Sequence, residues 1–130
     1  MSFDSVKRIL VVDDEKDIVM TVSLHLEKNG FVAVGFSDPH EALEEFKLNP
    51  TKYSMVLTDI RMPGMSGIDL ATKILDIDPK MKILIITANE VIPQELPLQL
   101  PFISVDDIIR KPFKLALICS RVKQLLAMSR

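Results

Sequence analysis

Three short runs of almost unbroken apolar residues, Ile9-Leu10-Val11-Val12, Met55-Val56-Leu57-Thr58 and Ile83-Leu84-Ile85-Ile86, constrain the fold of this chain more than any other feature. A strand with one face in water alternates apolar and polar residues, whereas a strand covered on both faces is apolar throughout. Short, β-branched runs without alternation therefore predict central strands of a parallel sheet with helices on either side. Phe31 to Phe36 and Val105-Asp106-Asp107-Ile108-Ile109 supply two further strand segments. In an open sheet of this kind the ligand crevice lies beyond the carboxyl ends of the strands, so residues closing successive strands converge however far apart they are in sequence. Here those residues are Asp13, Asp14, Asp59, Thr87 and Lys111. One mouth would then hold three carboxylates, a hydroxyl and an ammonium.

Helical patterns separate the strand patterns, the alternation expected of βαβ units. Glu15 to Asn29 places Ile18, Val19, Val22 and Leu26 on one face, and Gly30 follows as a helix-ending residue. Ser37-Asp38-Pro39 offers a polar cap and a first-turn proline to a helix that turns Ala42, Leu43 and Phe46 inward, until Asn49-Pro50 stops it. From Gly67 a third helix carries Ile68, Ala71, Ile74 and Leu75, and Asp78-Pro79 closes it. The last runs from Phe113 to about Met128 on Leu115, Ile118, Val122, Leu125 and Leu126. Between the fourth and fifth strands, Pro93, Pro97 and Pro101 interrupt the segment from Asn89 to Phe102. An interior proline costs a helix about 3 kcal/mol, so the fourth helix is expected to be short or irregular. The segment from Pro93 to Pro101 would either pack on the domain or present a contact surface.

Composition bounds the alternatives. A chain of 130 residues with 48% hydrophobic and 26% charged residues is expected to form one domain spanning residues 1–130. Its net charge of −2 advertises neither a nucleic-acid surface nor a membrane surface. No apolar stretch reaches the roughly 20 residues of a membrane span, and no signal-peptide core precedes the first strand, so a cytoplasmic location is expected. Cys119 is the sole cysteine, which excludes an intrachain disulfide and a zinc cluster; among the apolar residues of the last helix it reads as buried packing. His25 and His40 fall within helices, away from the strand ends, where no chemical role is expected.

The five strand-end residues make sense together. Carboxylates crowded within a few ångström repel unless a cation sits among them, and oxygen donors are the ligand set of Mg²⁺. Asp13, Asp14 and Asp59 fit that role. With such a cation in place an anionic phosphoryl group can approach, and its transfer needs positioning and charge neutralisation above all. Lys111 would add a second positive charge and Thr87 a hydroxyl donor, leaving Asp59 on the central strand as nucleophile and acceptor. Each residue also has a plainer reading: the acids as helix caps, Thr87 as a strand residue, Lys111 as a solvated loop charge.

In series, Val11-Val12-Asp13-Asp14-Glu15, Leu57-Thr58-Asp59-Ile60-Arg61-Met62-Pro63-Gly64-Met65-Ser66-Gly67, Thr87-Ala88 and Lys111-Pro112-Phe113 resemble the receiver domain of two-component response regulators. The resemblance implies an α/β, flavodoxin-like, doubly wound sheet of five parallel strands in the order 2-1-3-4-5 with flanking helices. It also implies that Asp59 accepts phosphate from a histidine kinase or a phosphotransfer protein. Mg²⁺ would be held by Asp14, Asp59 and the backbone carbonyl of Arg61, with Asp13 acting through water. The Lys111–Pro112 peptide would be cis. Thr87 and the residue three before the lysine would act as the switch, but that residue is Ile108 where most members carry an aromatic. Arg61 and Asn89 occupy positions that tune phosphoryl lifetime in the family.

The chain ends shortly after the last helix, so a stand-alone receiver or a fragment of a larger regulator is expected, without direct nucleic-acid binding. The leading function is a phosphoacceptor that catalyses only its own phosphorylation and dephosphorylation and thereby switches a binding surface. Two readings stand beside it: a phosphorylation-independent interaction module, and a Mg²⁺-dependent phosphohydrolase, which would need a second acid or base beside the nucleophile.

Overall fold

A computed structural model describes residues 6–88 and 107–128. Five parallel strands form one sheet: β1 (Arg8–Val12), β2 (Val32–Phe36), β3 (Met55–Asp59), β4 (Lys82–Thr87) and β5 (Ile108–Arg110). Their order across the sheet is β2-β1-β3-β4-β5, as the resemblance implies. Four α-helices accompany them among the described residues: α1 (Lys16–Lys28), α2 (Pro39–Leu48), α3 (Gly67–Ile77) and α4 (Leu115–Ala127). The proline-bearing segment from Pro93 to Pro101, with Asn89, Val105 and Asp106, lies outside the described residues, so the expectation for a short or irregular helix there falls outside them too. β5 is shorter than the five-residue run that suggested it, beginning only at Ile108 among the described residues and extending one residue further, to Arg110.

The unbroken apolar runs follow from two cores, one on each side of the sheet. Leu10, Val12, Val56, Ile83 and Ile85 point to one side, where Ala42, Leu43 and Phe46 of α2 and Leu70, Ala71 and Ile74 of α3 cover them. Their neighbours Ile9, Val11, Leu57, Leu84, Ile86 and Ile109 point to the other, beneath Val22 and Leu26 of α1 and Ile118, Cys119, Val122 and Leu125 of α4. Strand residues alternate between faces, so a run serving both cores has to be apolar at every step. Leu70, fully buried on α3, was absent from the stripe read in the sequence, while Ile68 and Leu75 from that stripe lie at the margin of the core.

Local chemistry sets the helix ends. Asp38 caps α2 by accepting a hydrogen bond from the His40 amide at 2.9 Å, with Pro39 in the first turn. Ser66 caps α3 in the same way through the Asp69 amide at 3.1 Å. After α1, the backbone turns through Gly30 at φ +91°, a conformation that costs glycine little and other residues more. Cys119 is buried, as its place in the last helix suggested, and burial pushes its thiol pKa up, partly offset by Lys123. No helix among the described residues is long and apolar enough to cross a membrane.

The double-sided core sets a steep contrast between positions of the same residue type. Leu84→Ala, at a site with no exposure, should lower unfolding free energy by about 2–5 kcal/mol through lost burial and a residual cavity. Leu24→Ala, on the outer face of α1 and 52% exposed, should change it by less than about 0.5 kcal/mol. Urea denaturation of the two variants against wild type checks the difference; equal midpoints for the two variants would contradict it.

Candidate functional site

Hydrogen bonds just past the strands carry the sheet's alternation into its carboxyl edge. The Asp13 amide donates to the Phe36 carbonyl at 3.2 Å, the Ile60 amide to Ile86 at 3.1 Å and the Lys111 amide to Thr87 at 2.8 Å. Asp13, Asp59 and Lys111 thus continue the series of Val11, Leu57 and Ile109, whose side chains face the α1 and α4 side. Three chemically active side chains meet on that side at one edge. Thr87 ends β4 one residue beyond Ile86, the register partner of Asp59, and is buried.

Lys111 is the hub. Its Nζ lies 2.9 Å from Asp13 Oδ2, 2.7 Å from Glu15 Oε2 and 3.1 Å from Asp59 Oδ2. The two contacts to the buried Asp13 and Asp59 are strong in a low dielectric but offset by desolvation, whereas the contact to Glu15, whose side chain is 61% exposed, is screened by water and worth no more than about 1 kcal/mol. Burial works against the ammonium, but the contacts to Glu15, Asp13 and Asp59 outweigh it and hold the Lys111 pKa above the usual lysine value. Burial also raises the Asp13 pKa, opposed by the Glu15 amide and by Lys111 and reinforced by the negative charge of Asp59. The Lys111–Pro112 peptide that follows is cis.

Three acids can share a cation here. One carboxylate oxygen from each of Asp13, Asp14 and Asp59 lies within 4.8 Å of the others. Asp13 and Asp59 are buried, whereas Asp14 is exposed. Asp59 Oδ1 is shielded from solvent and has no hydrogen-bond partner among the described residues. A buried carboxylate oxygen left without a partner is costly, and a hard cation or an incoming electrophile would satisfy it. Asp13 does not cap α1: its Oδ1 accepts from the Glu15 amide at 2.9 Å, a turn just before the helix begins at Lys16.

Asp59 owes its position to the loop that follows it. The Thr58 hydroxyl donates to the Asp59 carbonyl at 2.9 Å, and Met62 and Met65 bury their side chains in the α2 and α3 core. Gly64 turns the loop at φ +86°, beside the His40 ring of α2. His40 thus lies nearer the site loop than its helix position suggested: a Cβ on Gly64 would come within 3.1 Å of its Nε2. At the end of the loop the Gly67 amide donates to the Ile60 carbonyl at 2.7 Å. A Cβ on Gly67 would overlap the Asp59 carbonyl oxygen and come within 2.7 Å of its carbon. By sequence Gly67 closes the motif and opens the third helix; its steric role needed the approach of α3 to β3.

Of the other residues singled out in the sequence, Arg61 is exposed on a shallow cleft lined by Ile60, Met62, Pro63 and Ser66. Ile108 pairs with Ile85 and packs, half-buried, against the α2 and α3 core. Asn89 lies outside the described residues. Glu15, by sequence an ordinary acid at the start of a helix, makes the shortest of the three contacts to Lys111. Its signal was its place two residues after Asp13, where the chain turns into α1.

The family model for the response regulator receiver domain matches residues 9–123. The chain is similar to the alkaline phosphatase synthesis transcriptional regulatory protein PhoP of Bacillus subtilis, 34% identical over 95% of this chain and 50% of that protein. It is also similar to the chemotaxis protein CheY of Thermotoga maritima, 34% identical over 83% of this chain and 88% of that protein. Among solved structures, the response regulator protein TrrA of Thermotoga maritima, in complex with Mg²⁺ and beryllium fluoride, superimposes with a TM-score of 0.78 at 30% identity, covering 92% of this chain and 99% of that one. This chain spans about half the length of the regulator PhoP.

Replacing Gly67 by alanine should force β3 and α3 apart at the Asp59 carbonyl. The expected cost is about 1–3 kcal/mol, typical of overpacking a filled site. Chemical denaturation of Gly67→Ala beside Gly30→Ala, where nothing lies within 4 Å of the added Cβ, separates steric overlap from the cost of a positive φ. A smaller loss at position 67 than at position 30 would refute the steric account.

Proposed function

This chain belongs to the response regulator receiver domain family, and on that premise we propose that Asp59 is its phosphoacceptor. The observation that carries the reading is the buried Asp59 Oδ1, unpartnered among the described residues, beside Lys111 and two further acids. A histidine kinase phosphohistidine, or that of a phosphotransfer protein, is the donor. Asp59 attacks phosphorus, the phosphorus–nitrogen bond breaks, and an acyl phosphate forms on the carboxylate. Lys111 and the Thr87 hydroxyl bind the phosphoryl oxygens and balance their charge. The phosphoryl group leaves by a separate step, in which water attacks phosphorus, the Asp59 carboxylate departs and inorganic phosphate is released, so the chain catalyses only its own modification and its removal.

Mg²⁺ is the cation that suits this donor set. Asp14, Asp59 and the Arg61 carbonyl would hold it directly and Asp13 through water, and when bound it neutralises charge between carboxylates and phosphoryl group. The TrrA structure, in complex with Mg²⁺ and beryllium fluoride, supports the same assignment here. Thr87 and Ile108 form the switch, with an aliphatic residue in place of the usual aromatic, and Arg61 and Asn89 set the phosphoryl lifetime. We read residues 1–130 as a single cytoplasmic receiver domain whose phosphorylation alters a binding surface.

Intact-mass spectrometry after incubation with acetyl phosphate tests the assignment. A single phosphoryl adduct is expected in the presence of Mg²⁺ and none in Asp59→Asn, which keeps the shape of the side chain but lacks the nucleophile. Full labelling of Asp59→Asn would refute it, and no adduct on folded, Mg²⁺-bound wild type would favour a phosphorylation-independent interaction module. For the metal, Asp14→Ala should weaken Mg²⁺ binding by at least tenfold in a fluorescence or calorimetric titration, in line with the loss of a charged ligand; unchanged affinity would remove Asp14 from the ligand set.

A further inference from the structure

Lys111 is held by three carboxylates, and they differ in how easily each can let go. Asp13 and Asp59 sit at the ends of buried strands, with side chains 0% and 5% exposed. Glu15 stands at the N-cap of α1 without capping it, and its side chain is 61% exposed. An exposed glutamate regains water when it leaves an ion pair, so its release costs little, whereas a buried aspartate stripped of its cation is left stranded. Among the described residues, Glu15 and Asp59 accept hydrogen bonds from the ammonium, at 2.7 and 3.1 Å, while Asp13 Oδ2 lies 2.9 Å away as an ion pair without one. A phosphoryl oxygen arriving at Asp59 competes with these carboxylates for the ammonium, and Glu15 is the one that can leave into water.

We propose that Glu15 is a placeholder for the phosphoryl group: it occupies and positions Lys111 before phosphorylation and yields to a phosphoryl oxygen during it. Glu15 does not touch the reacting atoms; it is a positioning residue acting through Lys111. Two consequences for rate follow from its charge. Glu15 competes with the incoming phosphoryl oxygen for the ammonium, and it adds one negative charge that an anionic donor must approach. Both effects slow phosphorylation; an amide of the same shape removes the charge and weakens the competition to that of a neutral acceptor. Glu15 also lines a cleft of about 630 Å³ with Ile18, Ala88, Phe113 and Leu115, so its release changes the rim of that cleft beside the acceptor.

The inference rests on Asp59 being the phosphoacceptor, and the test separates the two. Initial rates of labelling by acetyl phosphate with saturating Mg²⁺ are measured for wild type, Glu15→Gln and Glu27→Gln, the last removing an exposed charge elsewhere on α1. Glu15→Gln should label about two- to fivefold faster than wild type, the range that loss of one exposed ion pair allows. The advantage should shrink as salt is added, because the competition is electrostatic, whereas a packing effect would not respond. Glu27→Gln should match wild type. If wild type labels and Glu15→Gln labels at the same rate or more slowly, the placeholder role is overturned and the phosphoacceptor reading stands. If folded wild type fails to label at all, both fall together.

Discussion

A strand buried on both faces can carry charge only where it ends, and the organisation of this molecule follows from that restriction. β1, β3 and β4 lie between two cores, so their interior positions are closed to polar side chains, Thr58 apart. Asp13, Asp59 and Thr87 appear at the first positions where the sheet's edge offers polar neighbours. Parallel pairing brings those positions to one side of the molecule, and the alternation of side chains sends Asp13, Asp59 and Lys111 to the same face. The site is therefore a product of the sheet's burial as much as of its own residues.

Once the acids are gathered, their mutual repulsion has to be answered. Lys111 answers part of it, and its raised pKa records how strongly the surrounding carboxylates favour the ammonium despite the burial that opposes it. Among the described residues, the one ammonium at the cluster does not balance Asp13, Asp14, Glu15 and Asp59, and Asp59 Oδ1 stays without a partner. That imbalance is what makes the cluster receptive to a further cation and, through it, to an anion. The arrangement ties the ends of β1, β3 and β5 through a single side chain, so a change in charge at one strand end is felt at the other two.

The strands, their flanking helices and the five strand-end residues were legible because each leaves a local mark: an apolar run, a helix stop, an acid or a base where a run ends. Strand order entered through the resemblance, since nothing in local periodicity says that β1 lies between β2 and β3. What stayed hidden depends on contacts between distant elements. Glu15 reads as an ordinary acid at the start of a helix until Lys111, 96 residues later, is placed beside it. Leu70 and Ile68 are both aliphatic, and only the packing of α3 on the sheet and α2 shows that Leu70 is buried in the core while Ile68 lies at its margin. His40 sits in a helix by sequence, yet the first turn of α2 brings its ring against the loop that follows β3.

Gly67 gives the loop after Asp59 a mechanical property. Where two elements meet through long side chains, rotamer changes absorb small displacements. Here the first residue of α3 meets the Asp59 carbonyl with no side chain between them, and the Gly67 amide is bonded to the next carbonyl along. Backbone rests on backbone, a joint with almost no play. A shift of the Asp59 peptide toward α3 cannot be taken up locally and has to be handed on as a push at the end of the helix. Leu70, Ala71 and Ile74 of α3 share one packed core with α2 and with Met62 and Met65 of the loop, so the helix that would receive that push is itself anchored by packing on several sides.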